Sequence, residues 1–100
     1  MPRRLPIRIH PEAIAEGKEA WEWYEERNAA AAEGFIQELD RALGRISEAP
    51  HRWPPHEHGT RSFLLRRFPF SVIYRESKGS VEIIAIAHGS RKPGYWTGRI

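Results

Sequence analysis

A chain of 100 residues, 40% hydrophobic and 29% charged, has the composition of one soluble globular domain with one core, and it is too short for a second catalytic lobe. It has no cysteine, which excludes disulfides, thiol nucleophiles and thiolate zinc sites, so the fold rests on packing alone. The net charge of +3 is unevenly spread: residues 1–50 hold seven Arg or Lys against ten Asp or Glu, leaving −3, while residues 51–100 hold nine against three, leaving +6.

The N-terminus, MPRRLPIRIH, has no apolar signal core, and no run approaches the roughly 20 apolar residues of a membrane span, so a cytoplasmic protein is expected. Leu5 to His10 alternates apolar and polar residues, the pattern of a half-buried strand. Pro11 suits a first helical turn, and Glu12 and Glu16 follow at the positive end of the dipole, so a helix is predicted from Glu12 to Arg27. Ala13, Ile14, Ala20, Trp21 and Tyr24 form its inner face, with Trp23 pointing elsewhere, and Gly17 marks a close approach of the next helix. Asn28 is a boundary and N-cap for a second helix that carries Phe35, Ile36, Leu39, Leu43 and Ile46 on one stripe and is closed by Pro50.

The segment PHRWPPHEHGT, with three prolines and a glycine, is a loop. Its His51, His56 and His58 flank Glu57, but the spacing matches no standard metal arrangement, and no metal or cofactor is expected. Arg61 to Arg67 is a strand with Phe63 and Leu65 on one face. Phe70 to Arg75 and Val81 to Ala87 are two more, joined by a longer loop from Glu76 to Ser80. The predicted fold is α+β: an N-terminal strand, an antiparallel helical hairpin, then a three-stranded antiparallel meander, forming a small twisted sheet with the hairpin on one face. The expected division is residues 1–10 for the first strand, 11–49 for the hairpin, 50–60 for the loop, 61–87 for the strands and 88–100 for a basic aromatic tail. Pro93 and Gly94 form a turn able to fold Tyr95 and Trp96 back onto the sheet, with Trp96 then a plug and Arg99 outside it.

The PEA helix start, the WYE late in helix one, the mid-helix phenylalanine, and above all FPFSVIYR with IAHGSRKPGYW resemble the RelE/ParE superfamily of bacterial toxins over nearly the whole chain. The resemblance implies the toxin half of a type II toxin–antitoxin module. Its partner would be a cognate antitoxin whose disordered segment, acidic to suit the +6 half, wraps and silences it, and operator DNA would be bound only through the antitoxin. RelE-like members cleave messenger RNA on the ribosome without a metal; ParE-like members poison DNA gyrase. The hairpin of some forty residues between His10 and Pro50 looks ParE-like, and gyrase inhibition is the reading favoured.

The alternatives divide the same residues differently. A nuclease needs a base, an acid and cations around phosphate: His88 or Tyr95 would move protons, Arg61, Arg67 and Arg91 would clamp phosphate, and Trp96 would stack on a base. A gyrase inhibitor needs a contact surface, and Arg91, Lys92, Tyr95 and Trp96 supply a cationic, aromatic one. An inactive, antitoxin-binding relative is the third alternative. His88 would otherwise be a histidine satisfied by a backbone carbonyl at the sheet edge.

Overall fold

The computed structural model describes residues 4–100; residues 1–3, part of the expected segment 1–10, lie outside the described residues. The N-terminal alternation produces a strand, β1, but only over Ile7–Ile9. Proline has no N–H for a ladder and its fixed φ suits a helix start, so the chain passes directly into α1 (Pro11–Arg27). His10 caps that turn, its Nδ1 accepting from the Glu12 N–H at 3.1 Å.

Asn28 alone separates α1 from α2 (Ala29–Glu48). Its extended backbone breaks the helix, its N–H donates to Tyr24 O at 2.7 Å, and its Oδ1 accepts from the N–H groups of Ala30 and Ala31 at 2.9 and 3.2 Å. One residue therefore closes the first helix and opens the second, a cap worth about 1 kcal/mol. The expected loop 50–60 contains two 3-10 turns, Pro50–Arg52 and Glu57–Gly59. Three strands follow: β2 (Arg61–Leu64), β3 (Phe70–Ser77) and β4 (Ser80–His88).

The sheet order is β1-β4-β3-β2, antiparallel except that β1 runs parallel to β4, with Ile7 opposite Val81. The class is the α+β arrangement expected from sequence. Two expectations about the strands need correction. The β3–β4 connection is a tight two-residue turn, not a longer loop: Lys78 and Gly79 both take left-handed φ values, 53° and 77°, as a twist-matched hairpin turn requires. And β2 stops at Leu64, because Arg66 and Arg67 turn their N–H groups onto the buried carboxylate of Glu38 on α2 rather than into the sheet.

The central strands are buried on both faces, with Val72, Ile73 and Tyr74 covered in sequence and Ile83 to Ile86 likewise. One face packs against the hairpin through Ala13, Ala20, Phe35, Ala42 and Ile46. The other gathers Ile73, Ile84 and Ala85 around Trp96, which is 2% exposed. Ile84 and Ala85 are adjacent yet face the same way because the ladder slips there, pairing Ile73 with Ala85 but Tyr74 with Ile83.

On α1 the inner face is made of small residues. Ala13 and Ala20 are buried and Tyr24 is half-buried, whereas Ile14 and Trp21, expected inside, are 58% and 37% exposed. Ile36 on α2 likewise points outward, while Glu38 takes a buried place in the stripe. The short Ala13 and Ala20 side chains let α1 lie close to β4, and a residue as large as Ile14 or Trp21 would hold it off.

Gly17 faces Leu39 of α2, but a methyl group built there would lie 3.8 Å from Leu39 Cδ2, an ordinary contact. The expected close approach does not demand glycine. Gly17→Ala should therefore stabilise the fold by about 0.5–1 kcal/mol, raising the thermal midpoint by a few degrees. A lower midpoint in a calorimetric scan would show that the helices are packed more tightly than these distances indicate.

Candidate functional site

Strand β1 ends at Ile9 while β4 runs on to His88, so past Ile83 one edge of β4 has no strand beside it. The slip at Ile84 turns the C=O of Ile84 and the N–H of Ile86 toward that edge, and α1 and the tail meet them there. Glu16 Oε1 accepts from the Ile86 N–H at 3.0 Å, and Arg99 Nη1 donates to Ile84 O at 3.1 Å. The two side chains are also paired directly, Arg99 Nη1 to Glu16 Oε1 and Nη2 to Oε2, both at 2.9 Å. Tyr95 Oη donates to Glu16 Oε2 at 2.6 Å.

Burial alone would raise the Glu16 carboxyl, but the hydrogen bonds from Arg99, Tyr95 and Ile86 and the Arg99 charge outweigh it and hold the group below its ordinary value. The Tyr95 phenol moves the other way: burial, then the bond to Glu16 and its charge, push it well above its ordinary value. Glu38 repeats the first pattern, with burial opposed by the N–H groups of Arg66 and Arg67 and by the Arg67 guanidinium at 3.2 Å.

Between α1 and the end of β4 lies a cleft of about 380 Å³. Its apolar lining includes Ala20, Tyr24, Pro69, Phe70 and Ile86. Glu16, Glu19 and Trp23 approach from the helix, and His88 and Arg91 from the strand end, so one wall is acidic and the other basic. Trp23 is 52% exposed, with the Arg27 guanidinium 3.8 Å above its ring. Past the strand, residues 89–95 make a series of turns in which Gly94 takes φ 75° and brings Tyr95 and Trp96 back over the sheet.

His88 and Arg91, singled out from sequence, are brought together in this cleft. The His88 Nδ1 accepts from the Ser90 N–H at 3.0 Å and lies 2.7 Å from Ser90 Oγ, and the ring stands edge-on to Phe70. Its fixed partner is thus a backbone amide rather than the expected carbonyl. Arg91 is exposed and stacks on Tyr95, its guanidinium carbon 3.8 Å from the ring centroid. Lys92 is exposed beside it.

The other candidates lie elsewhere. Arg61 donates to Trp53 O at 2.7 Å and sits opposite Tyr74, four residues along β3 from the Phe70–His88 pair, about 13 Å at the rise of a strand. Arg67 binds Glu38 through Nε at 3.2 Å, on the α2 side of the sheet, with the rest of its side chain exposed. Trp96 is enclosed by the sheet, with His56 and His58 at 6.0 and 6.1 Å, so its ring is core rather than exposed surface. Arg99, expected outside the plug, is a buried partner of Glu16, its side chain 10% exposed. The histidine loop is divided: His51 pairs with Glu76 at 2.9 Å, while His56 and His58 border Trp96.

Glu16 was legible only as a dipole partner of the first turn. The available signal was its spacing: Glu16 falls three residues after Ala13 and four before Ala20, on the buried stripe itself, as Glu38 falls between Phe35 and Ala42.

A helical hairpin on a four-stranded sheet, with a basic aromatic tail strapped over the far face, is the architecture of a RelE/ParE-type toxin. The sequence matches the family described as ParE toxin of type II toxin-antitoxin system, parDE, over residues 7–93. It is similar to Toxin ParE2 of Mycobacterium tuberculosis, strains CDC 1551 / Oshkosh and ATCC 25618 / H37Rv, at 33% identity over 98 residues, covering 93% of this chain and 88% of the relative. A solved chain described as Chromosomal ParDE TA system from P. aeruginosa shares the fold at a TM-score of 0.76 and 19% identity, covering 85% of this chain and 96% of its own. The chain belongs to the ParE toxin family of type II toxin–antitoxin systems. Among the described residues no helix is long and apolar enough to cross a membrane.

The depressed carboxyls make stability depend on acid. A carboxylate whose folded pKa lies below its unfolded value stabilises the fold above the unfolded value, here about 4.5, and loses that contribution as pH falls through the folded value. Denaturant titrations should therefore give nearly constant stability from pH 7 to about 5.5 and a decline below pH 4.5, shallower in Glu16→Gln. An equal decline in that variant would show that Glu16 is not among the groups responsible.

Proposed function

We propose that this toxin arrests growth by binding DNA gyrase through its basic tail, without catalysis, and that a cognate antitoxin neutralises it. The observation that carries this reading is the dispersal of the nuclease candidates. Arg61 is tied to the 50–60 loop, Arg67 lies beside Glu38, and the Tyr95 hydroxyl is held by Glu16, so of the nuclease candidates only His88 and Arg91 share the cleft with free groups, too few to supply base, acid and phosphate clamp at one reacting phosphate. Arg91 and Lys92 remain exposed on a tail anchored by Trp96, which suits a contact surface where charge steers and a few anchors hold. Tyr95 supports Arg91 from below, and Trp96 contributes as the anchor of the surface. ParE-type membership supports gyrase as the target, since that is the action the family resemblance implies.

The antitoxin reading has a second support. Ile9, Ile14, Trp21 and Ile36 are all at least partly open to solvent and line one apolar groove between α1 and α2, with Leu39 and Leu43 at its base and Lys18 at its side. A groove of this kind accepts the apolar face of a partner segment that orders on binding. The antitoxin's neutralising segment is the occupant, its acidic residues serving the basic half of the toxin. Contact with operator DNA, and any role in plasmid stabilisation, would run through that complex.

Pulse labelling after induction without antitoxin should show DNA synthesis falling before protein synthesis, and purified protein should inhibit gyrase supercoiling. Early loss of translation with intact chromosomes overturns the gyrase reading in favour of the ribosome. For the partner, Ile14→Glu should weaken the toxin–antitoxin complex about tenfold or more by calorimetry while leaving gyrase inhibition in place. Unchanged affinity removes the groove from the interface.

A further inference from the structure

We propose that Glu16 is the positioning residue for the target-contacting tail, acting through Tyr95 to set the place of the Arg91 guanidinium. The inference rests on the gyrase-contact reading and identifies what in the fold prepares that surface. Glu16 lies on α1, 79 residues ahead of Tyr95, and its side chain is 13% exposed. Both of its oxygens are fully used: Oε1 takes the Ile86 N–H and Arg99 Nη1, and Oε2 takes the Tyr95 hydroxyl and Arg99 Nη2. A carboxylate offers about four acceptor positions, and here four donors fill them. Its plane is therefore fixed by a strand at one side and a bidentate arginine at another, and the Tyr95 hydroxyl has one place to go.

Fixing that hydroxyl fixes the ring, and two guanidinium groups stand near it, Arg91 at 3.8 Å and Arg99 at 5.2 Å from its centroid. Among the described residues the Arg91 side chain has no ion pair and no hydrogen bond, so the face of Tyr95 is what holds it. The order of influence is then Glu16, Tyr95, Arg91. Trp96 holds the tail to the sheet independently, through Ile73, Ile84 and Ala85, so loss of the Glu16 carboxylate leaves the tail attached but lets its outer part shift. Glutamine cannot replace it, since in either orientation its amide nitrogen would face an Arg99 N–H as donor against donor. Tyr95→Phe keeps the ring and removes only the tether.

The experiment measures gyrase supercoiling inhibition by wild type, Glu16→Gln, Tyr95→Phe, Arg91→Ala and the Glu16→Gln/Arg91→Ala double variant, each at a temperature where circular dichroism shows it folded. Glu16→Gln and Tyr95→Phe should each raise the half-inhibitory concentration about tenfold, and Glu16→Gln should add less than about twofold to Arg91→Ala, as expected of residues acting in one chain. Binding of the antitoxin's isolated neutralising segment to the α1–α2 groove should be unchanged. Trypsin cleavage between Arg91 and Lys92 should be faster in Glu16→Gln and Tyr95→Phe than in wild type. Folded Glu16→Gln with wild-type inhibition, or losses in the double variant that simply multiply, overturns the proposal. If the wild-type chain leaves gyrase unaffected, the target reading fails, and the cleavage rates then decide the positioning claim: faster cleavage upholds it and equal rates overturn it.

Discussion

One half-buried carboxylate joins three parts of the molecule that are otherwise only neighbours. Glu16 belongs to a helix, accepts from a strand edge, and receives two side chains of the tail. Such a group is costly to dehydrate, and its cost is offset only because every acceptor position is filled and one donor carries a full opposite charge. The pair it forms with Arg99 also does the work of a missing strand, taking an N–H and a C=O that β1 is too short to reach. Glu38 solves the same problem at the other end of the sheet, where the chain between β2 and β3 leaves the ladder and its N–H groups need an acceptor. Each helix thus sends a single acid inward to fasten an irregular segment, and both acids sit among alanine, phenylalanine and other apolar residues.

The packing divides large and small side chains against the usual intuition. α1 meets β4 through alanines, so its isoleucine and first tryptophan are left on the outside. That outward stripe is more apolar than a solvated face needs to be, and with Ile9 and Ile36 it forms a continuous groove. A protein that functions in company can carry such a surface, because the company covers it.

The class of the fold was legible from sequence because its punctuation is chemical: Pro11 begins a helix, Asn28 ends one and caps another, Pro50 stops the second, and the β-branched runs can only be strands. The details that escaped have physical reasons. α1 carries two apolar stripes, and choosing by side-chain size favours the wrong one. Lys78 at a left-handed position has none of the usual marks of a tight hairpin, since lysine is not a residue that prefers it. The run VEIIAIA hardly alternates, which is the mark of a strand buried on both faces, and it asks for a cover that Trp96 provides. At the site, His88 and Arg91 are close in sequence and so were found together. Arg61 and Arg67 share a strand on paper but not a neighbourhood in space. Glu16 escaped because its partners lie 70 to 83 residues away, beyond any local pattern.

The parallel pairing of β1 with β4 has a consequence for how the molecule comes into being. Ile7 waits for Val81, and Glu16 for Arg99, so neither sheet closure nor the fastening of the tail has a local nucleus. The hairpins α1–α2 and β3–β4 close short loops, whereas the contacts that join the first strand and the basic tail to them carry the largest loop-closure entropy. Fastening of the tail is thus among the most entropically demanding closures, and the apolar groove beside the helices is finished only when Ile9 of β1 and Ile83 and Ile86 of β4 join them.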